Sequence, residues 1–405
     1  MKKLFNSVIA IFSLAITLLS QDFSRLPSWQ EGYMDIHHIA TGQGDCTFII
    51  FPDGTTLLID AGDVGFPNGT QSWYHIIPSN LKTPGEYICD YINYFKQNTR
   101  PLDYALLTHF HSDHIGSLKT AEPGSNGYDV SGLLLVGDYI GIRTLVDRDY
   151  PDYNFPSRDN IVRECDMIYN YFKFIDHHIK NGMTVQKFDV GSRTQFELKY
   201  NPKAYRRIFE VRNLCANGLV WTGTKKTKTA MFSGDSLLFD ENLNSCGFVL
   251  KYGNFKYYNC GDLPGGNTFR YKCKERNFES FVADVCGKIT VMKCDHHAAP
   301  DGVNEELLYK SQPKDFVITA CHKEHPYRTT MERLADKSLY PNNRDYYITS
   351  ESSRTQLGED LWSFFKPAGH VVVRVYPEGK SYQMFVLDVF SKGYEILYQS
   401  DLHIL

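Results

Sequence analysis

Residues 106–116 read LLTHFHSDHIG and place three histidines and one aspartate in six consecutive positions, directly behind an apolar run. The run LDYALLTHF is predicted to form a buried strand whose end delivers the polar cluster. His109 and His111 lie two apart, so in an extended segment both rings project to one side. Asp113 and His114 follow at once on a turn. Two imidazoles on one side suit one divalent ion, and the adjacent carboxylate and imidazole suit a second close by. Zinc accepts both donor types, and a reactive site keeps a position open for water. A solitary histidine is usually a solvated or satisfied side chain, but four such groups in so short a span point to a metal centre.

Upstream of the cluster, MDIHHIA, CTFIIF and TTLLID read as short strands separated by the turns TGQGD and PDG, with AGD closing the third. Residues 86–98, EYICDYINYFKQN, carry apolar positions at helical spacing; the stripe YINYF within them reads as core rather than as a base-stacking platform. Residues 120–205 read as an insertion or a covering loop set, with a helix over 160–180. Strand signals resume at RIFEVRNL, GLVWTG, TAMFSGD, the hairpin GFVLKYGNFKYYNCGD, KITVMKCDHHA and DFVITA. The helix TTMERLADKSL and the strands HVVVRVYP and YQMFVLDV follow. Two strand-rich halves alternating with helices predict a mixed α/β (α+β) fold of four layers, αββα, in one large domain over 21–405. Insertions fall at about 120–205 and 220–240.

The chain has 405 residues, 42% of them hydrophobic and 14% aromatic, which is ample for a packed core. A formal net charge of −4 lacks the clustered basic excess of a dedicated nucleic-acid binder. At the N-terminus, Lys2 and Lys3 precede an apolar stretch from Val8 to Leu19 and then Ser20. That is the layout of a secretory signal peptide over residues 1–20, so the expected location is secreted or periplasmic. The stretch falls short of the ~20 residues that span a bilayer, so no stable membrane insertion is expected. Ten cysteines are scattered through the chain without a C-x-x-C pair. Cys46, Cys260, Cys294 and Cys321 sit in strand-like apolar runs, so mostly free, buried thiols are expected. No G-x-S-x-G elbow and no P-loop is present.

The pattern H-x-H-x-D-H after an apolar strand resembles the signature of the metallo-β-lactamase superfamily. More narrowly, TGQGDCTFIIFPDGTTLLIDAGD resembles the opening of the hydrolase domain of the competence protein ComEC. ENLNSCGFVLKYGNFKYYNCGDLPG, MKCDHHAAPDG and FVITACHKEHPYRTTMERL are similar to later segments of that family, in order. The resemblance implies the metallo-β-lactamase αββα sandwich and a set of roles. His109 and His111 would hold a first metal, Asp113 and His114 a second, and Asp262 would bridge them. His296 or His297 would complete the second site, with His296 preferred. His325 matches a His-Pro histidine that steadies a phosphoryl oxygen or the leaving group. Asp45 and Asp60 match turn carboxylates, with Asp60 holding the loop beneath the site rather than the metal. Asp235, in MFSGD, is a rival to Asp262. The chain departs from the family where Gly-Ser after the paired histidines is replaced by AAPDG. The third first-site histidine of many superfamily members has only His177 and His178 as candidates here, both at a helix end.

The implied cofactor is a pair of zinc ions, with manganese as the alternative. A divalent ion lowers the pKa of bound water from about 15.7 to roughly 7, so the expected reaction is hydrolysis. The resemblance implies an anionic phosphodiester substrate: nucleic acid, or a surface polymer such as a phosphorylcholine-bearing teichoic acid. A β-lactam, lactone or other ester is the alternative substrate, and a silent phosphate-binding module is the alternative to an enzyme.

Overall fold

A computed structural model of the chain describes residues 24–65, 75–231, 240–267 and 272–405. The signal-peptide stretch 1–20 and Asp235 lie outside the described residues. Two large sheets face each other. The first runs, edge to edge, through the strands Ile396–Gln399, Ser381–Leu387, His370–Val375, Met34–His38, Thr47–Ile50, Thr56–Ile59, Leu102–Leu106, Ile142–Asp147 and Thr184–Lys187. It is antiparallel as far as Thr56–Ile59 and parallel from there to Thr184–Lys187. The second runs through Lys228–Ala230, Leu219–Trp221, Phe209–Ala216, Gly247–Tyr252, Phe255–Asn259, Val291–Lys293, Asp315–Ile318 and Asp345–Ile348, and its last four strands are parallel.

The strands are apolar on both faces because both faces are covered. Leu57 and Ile59 enter the core between the sheets, where they meet Phe248, Leu250, Tyr257, Val291 and Val317 of the second sheet. Leu58, pointing the other way, joins the helices Pro84–Lys96, Gly132–Ile140 and Ile168–Lys180 through Ile88, Tyr91, Leu133 and Phe174. On the far side, Met292, Phe316 and Ile318 pack against the helices Glu279–Cys286, Glu305–Ser311, Arg328–Ala335 and Arg354–Trp362. This is the predicted αββα order, and each fully buried Leu, Ile or Phe contributes roughly 1.5–3 kcal/mol to it.

Local signals agree with the larger pattern. The helix over 84–96 opens with a capping box in which Thr83 and Glu86 satisfy each other's backbone N–H, and Pro84 sits in its first turn. The stretch 120–205, expected to be a covering loop set, instead gives Ile142–Asp147 and Thr184–Lys187 to the first sheet, and its expected helix divides into Arg158–Glu164 and Ile168–Lys180. Nine cysteines among the described residues are free and buried. No helix among the described residues is long and apolar enough to cross a membrane.

Candidate metal centre

Every group of the site leaves the carboxyl end of a strand. Thr56–Ile59 leads to Asp60, Leu102–Leu106 to the histidine cluster, Phe255–Asn259 to Asp262, Val291–Lys293 to the paired histidines, and Asp315–Ile318 to Cys321 and His325. All five of these strands run parallel to a neighbour, so their ends open on the same edge of the sandwich, where α/β folds place their ligands. The loops pack closely. A Cβ on Gly62 would lie 1.8 Å from the Asp113 carbonyl oxygen, which already accepts the Asp45 N–H at 2.8 Å.

Asp113, His114, Asp262 and His297 converge so that one donor atom of each lies within 4.8 Å of all the others. His114 Nε2 stands 3.2 Å from Asp262 Oδ2, and His297 Nε2 stands 3.4 Å from the same oxygen and 3.3 Å from Asp113 Oδ2. The outer ring nitrogens are held. His114 Nδ1 donates to Asp60 Oδ2 at 2.8 Å, and His297 Nδ1 donates to the Thr319 carbonyl at 2.6 Å. Both tautomers are thereby assigned with Nε2 facing inward, the arrangement that orients a metal-binding imidazole. The two Nε2 atoms are buried and make no hydrogen bond. An orphaned buried polar atom costs about 1–3 kcal/mol, and a cation among these four donors removes that cost, so the residues fit a divalent ion. The electrostatics agree. Burial opposes the charged forms, yet the facing carboxylates push His297 up to about 9, and the imidazoles hold Asp113 and Asp262 well below the usual carboxylate range.

His297, not the preferred His296, therefore stands in the group of four. His296 Nδ1 bonds Asp301 Oδ1 at 2.6 Å, and its Nε2 lies 4.0 Å from Asp262 Oδ2. His296, His297 and Ala298 all have positive φ, from 46 to 58°. Non-glycine residues pay for that conformation, and the left-handed turn rotates the first ring outward and the second inward. Asp301 comes from AAPDG, so the departure from Gly-Ser supplies the partner of His296.

His109 Nδ1 meets Thr108 Oγ1 at 3.2 Å, and its Nε2 lies 3.2 Å from His111 Nδ1. This pair belongs to none of the clusters of three or more donors among the described residues. Neither helix-end histidine joins it: His178 Nε2 bonds Asp138 Oδ1 at 2.6 Å, and His177 Nε2 meets the Asn181 side-chain amide at 3.2 Å. His325 stacks on His297 with ring centroids 4.7 Å apart, while its Nδ1 lies 3.4 Å from Cys321 Sγ. Asp60 lies beneath the cluster and also accepts the Thr108 N–H and hydroxyl. Asp45, Asp60 and His114 form a second cluster of donors, in which Asp45 Oδ2 takes Lys293 Nζ at 2.6 Å and His114 Nδ1 is bonded to Asp60 Oδ2.

Lys293 is a residue that the sequence reading missed. It is fully buried, donates to the Gly261 carbonyl at 2.9 Å, and lies 3.6 Å from Asp262 Oδ1. It offsets the carboxylates from behind and holds the turn that presents Asp262. Its signal in the sequence was a lysine closing the apolar strand KITVMK. Glu241 is a second: its Oε1 accepts the N–H of Phe110, the residue between His109 and His111, at 2.9 Å. Removing the anchor under His114 should weaken the centre without dismantling it. Asp60→Ala is expected to lower metal affinity about 10–100-fold, the usual cost of an outer partner, when read by competition with a chromophoric chelator.

Residues 39–123 match the family model described as Metallo-beta-lactamase superfamily, and the H-x-H-x-D-H cluster falls inside that span. No curated protein matches the chain. Similar solved structures include CmlA, a diiron beta-hydroxylase from Streptomyces venezuelae, at 14% identity and a TM-score of 0.36, over 75% of this chain and 47% of that one. A mutant of the CmlA beta-hydroxylase is similar at 13% identity and a TM-score of 0.39, over 79% of this chain and 53% of that one. The chain thus spans about half the length of these two proteins. Residues 39–123 are thus similar to the metallo-beta-lactamase superfamily, and the two facing sheets are consistent with that fold.

Proposed function

We propose that the chain is a metal-dependent hydrolase that cleaves phosphodiesters. The observation that carries this reading is the convergence of Asp113, His114, Asp262 and His297, with the Nε2 atoms of both imidazoles buried, without a hydrogen bond and turned toward the two carboxylates. When bound, divalent ions of the zinc or manganese type supply an acidified water and a positive field for substrate oxygens. The chain's own residues do the rest. Asp262 turns Oδ2 toward both imidazoles while Lys293 stands behind Oδ1, so its carboxylate is fixed where it can take a proton from an attacking water. His325, with Nδ1 beside Cys321, has Nε2 left to steady a phosphoryl oxygen or the leaving group.

Lys323, two residues before His325, lines a cavity of about 890 Å³ together with Ile77, Pro78, Ser350, Glu351 and Phe390. The resemblance of the GQGD, IDAG and paired-histidine segments to the ComEC hydrolase domain supports a phosphodiester over a β-lactam. The amino-terminal Lys-Lys and apolar stretch support export, which would place the substrate outside the cytoplasm.

The test is hydrolysis of bis(p-nitrophenyl) phosphate beside a chromogenic β-lactam, a lactone and single-stranded DNA and RNA, with metal content read by elemental analysis. The expected result is phosphodiester cleavage that a chelator abolishes and added metal restores. Preferential turnover of the β-lactam or the lactone, or phosphodiester cleavage indifferent to the chelator, would overturn the proposal.

A further inference from the structure

We infer that Glu164, on the helix Arg158–Glu164 within the stretch 120–205, is a positioning residue that fixes His111 and sets the strength of the first metal site. The inference rests on the metal-dependent reading above and extends it to a part of the chain that the family signature does not reach.

The starting point is the 3.2 Å between His109 Nε2 and His111 Nδ1. Two nitrogens bound to one tetrahedral ion at about 2.0–2.1 Å lie roughly 3.3 Å apart, so these are the two atoms that would share an ion. His109 has its other nitrogen on Thr108 Oγ1. For His111 the other nitrogen is Nε2, and it faces Glu164 Oε2 at 3.5 Å. A carboxylate behind a metal-binding imidazole fixes its tautomer and its orientation and raises its basicity. In the second site Asp60 and the Thr319 carbonyl stand in the equivalent places behind His114 and His297.

Glu164 is not a loose surface acid. Its other oxygen, Oε1, accepts Arg163 Nε at 2.9 Å, and the same guanidinium reaches Asn160 Oδ1 at 2.6 Å. Ile161 and Cys165 bury against the core that also holds Phe110 and Ile115 of the histidine segment. Just beyond, Asp166 accepts the Ser117 hydroxyl and the Leu118 N–H, both at 3.0 Å. The helix end is thus tied to the loop that follows the histidine cluster, and Glu164 is delivered to His111 by that attachment.

The experiment strips the purified protein with a chelator and titrates it with Co²⁺, reading the ligand-field spectrum and the stepwise constants for wild type, E164Q, E164A and E164D. A variant on the second sheet, E210Q, whose carboxylate pairs with Arg212, is the control. The expected result is two steps in wild type. The weaker falls about 10–100-fold in E164Q and E164A and partly recovers in E164D, while the tighter is unchanged. In the metal-free protein, long-range ¹H–¹⁵N correlation of His111 is expected to show the Nε2–H tautomer in wild type and a mixture in E164A. Unchanged steps in both E164Q and E164A, an equal fall in both steps, or a single step in wild type would overturn the inference. A wild type that binds no ion at all would overturn the metal-dependent reading itself.

Discussion

His297→Ala is expected to abolish metal-dependent hydrolysis, whereas His296→Ala keeps the metal content of the wild type. The two rings are neighbours in the chain and opposites in space. His297 is buried, its Nδ1 is spent on the Thr319 carbonyl, and its Nε2 stands within 3.4 Å of both Asp113 and Asp262. Removing it deletes a donor from the group of four, so the affinity loss should exceed the ~10–100-fold that an outer partner costs. His296 instead bonds Asp301 and touches Asn242. Its loss frees Asp301, which Arg276 approaches at 3.6 Å, and so should shift substrate affinity more than metal content. The measurement is bound metal per chain after dialysis, beside kcat and KM for a phosphodiester. Equal metal loss in the two variants would show that the left-handed turn, rather than one ring, holds the ion.

That contrast marks where sequence reading stops. The H-x-H-x-D-H cluster is legible because its spacing is local: a strand end and one turn of helix fix four side chains with no help from elsewhere. The αββα order is legible for a similar reason, since apolar runs such as TTLLID and LDYAL need cover on both faces. The choice between His296 and His297 is not local. It depends on positive φ at three successive non-glycine residues and on Thr319 and Asp301, one of which arrives from the next strand. The strand Ile142–Asp147 escaped notice because Arg143 and Thr144 interrupt its apolar pattern and because it lies between a glycine-ended helix and the polar run that begins at Arg148. Lys293 is visible in the sequence only as an anomaly, a charge closing an apolar strand. Its meaning appears when Asp45, 248 positions earlier, is found against it.

The same distance separates sequence from structure at Arg148 and Glu241, where the largest stability effect is expected. Both side chains are fully buried. The guanidinium donates Nε and Nη2 to the two carboxylate oxygens at 2.6 Å each, and Nη1 reaches the Phe155 carbonyl at 2.8 Å. It also lies over the Phe110 ring, 4.7 Å from its centroid. Breaking a buried pair by removing one partner leaves an uncompensated charge, so Arg148→Met should cost about 3–5 kcal/mol in urea unfolding. Arg148→Met combined with Glu241→Gln should be more stable than Arg148→Met alone, because the orphaned charge is gone while an amide oxygen can still accept the Phe110 N–H. The sign of that difference decides whether the orphaned charge is what costs: a double variant less stable than the single one would mean that the Glu241 carboxylate contributes through its other contacts, the Phe110 N–H first. Because Phe110 lies between His109 and His111, the pair also sets the backbone that carries the proposed first metal site. The single variant should therefore lose first-site metal under conditions where it is still folded, and the double variant should regain part of it.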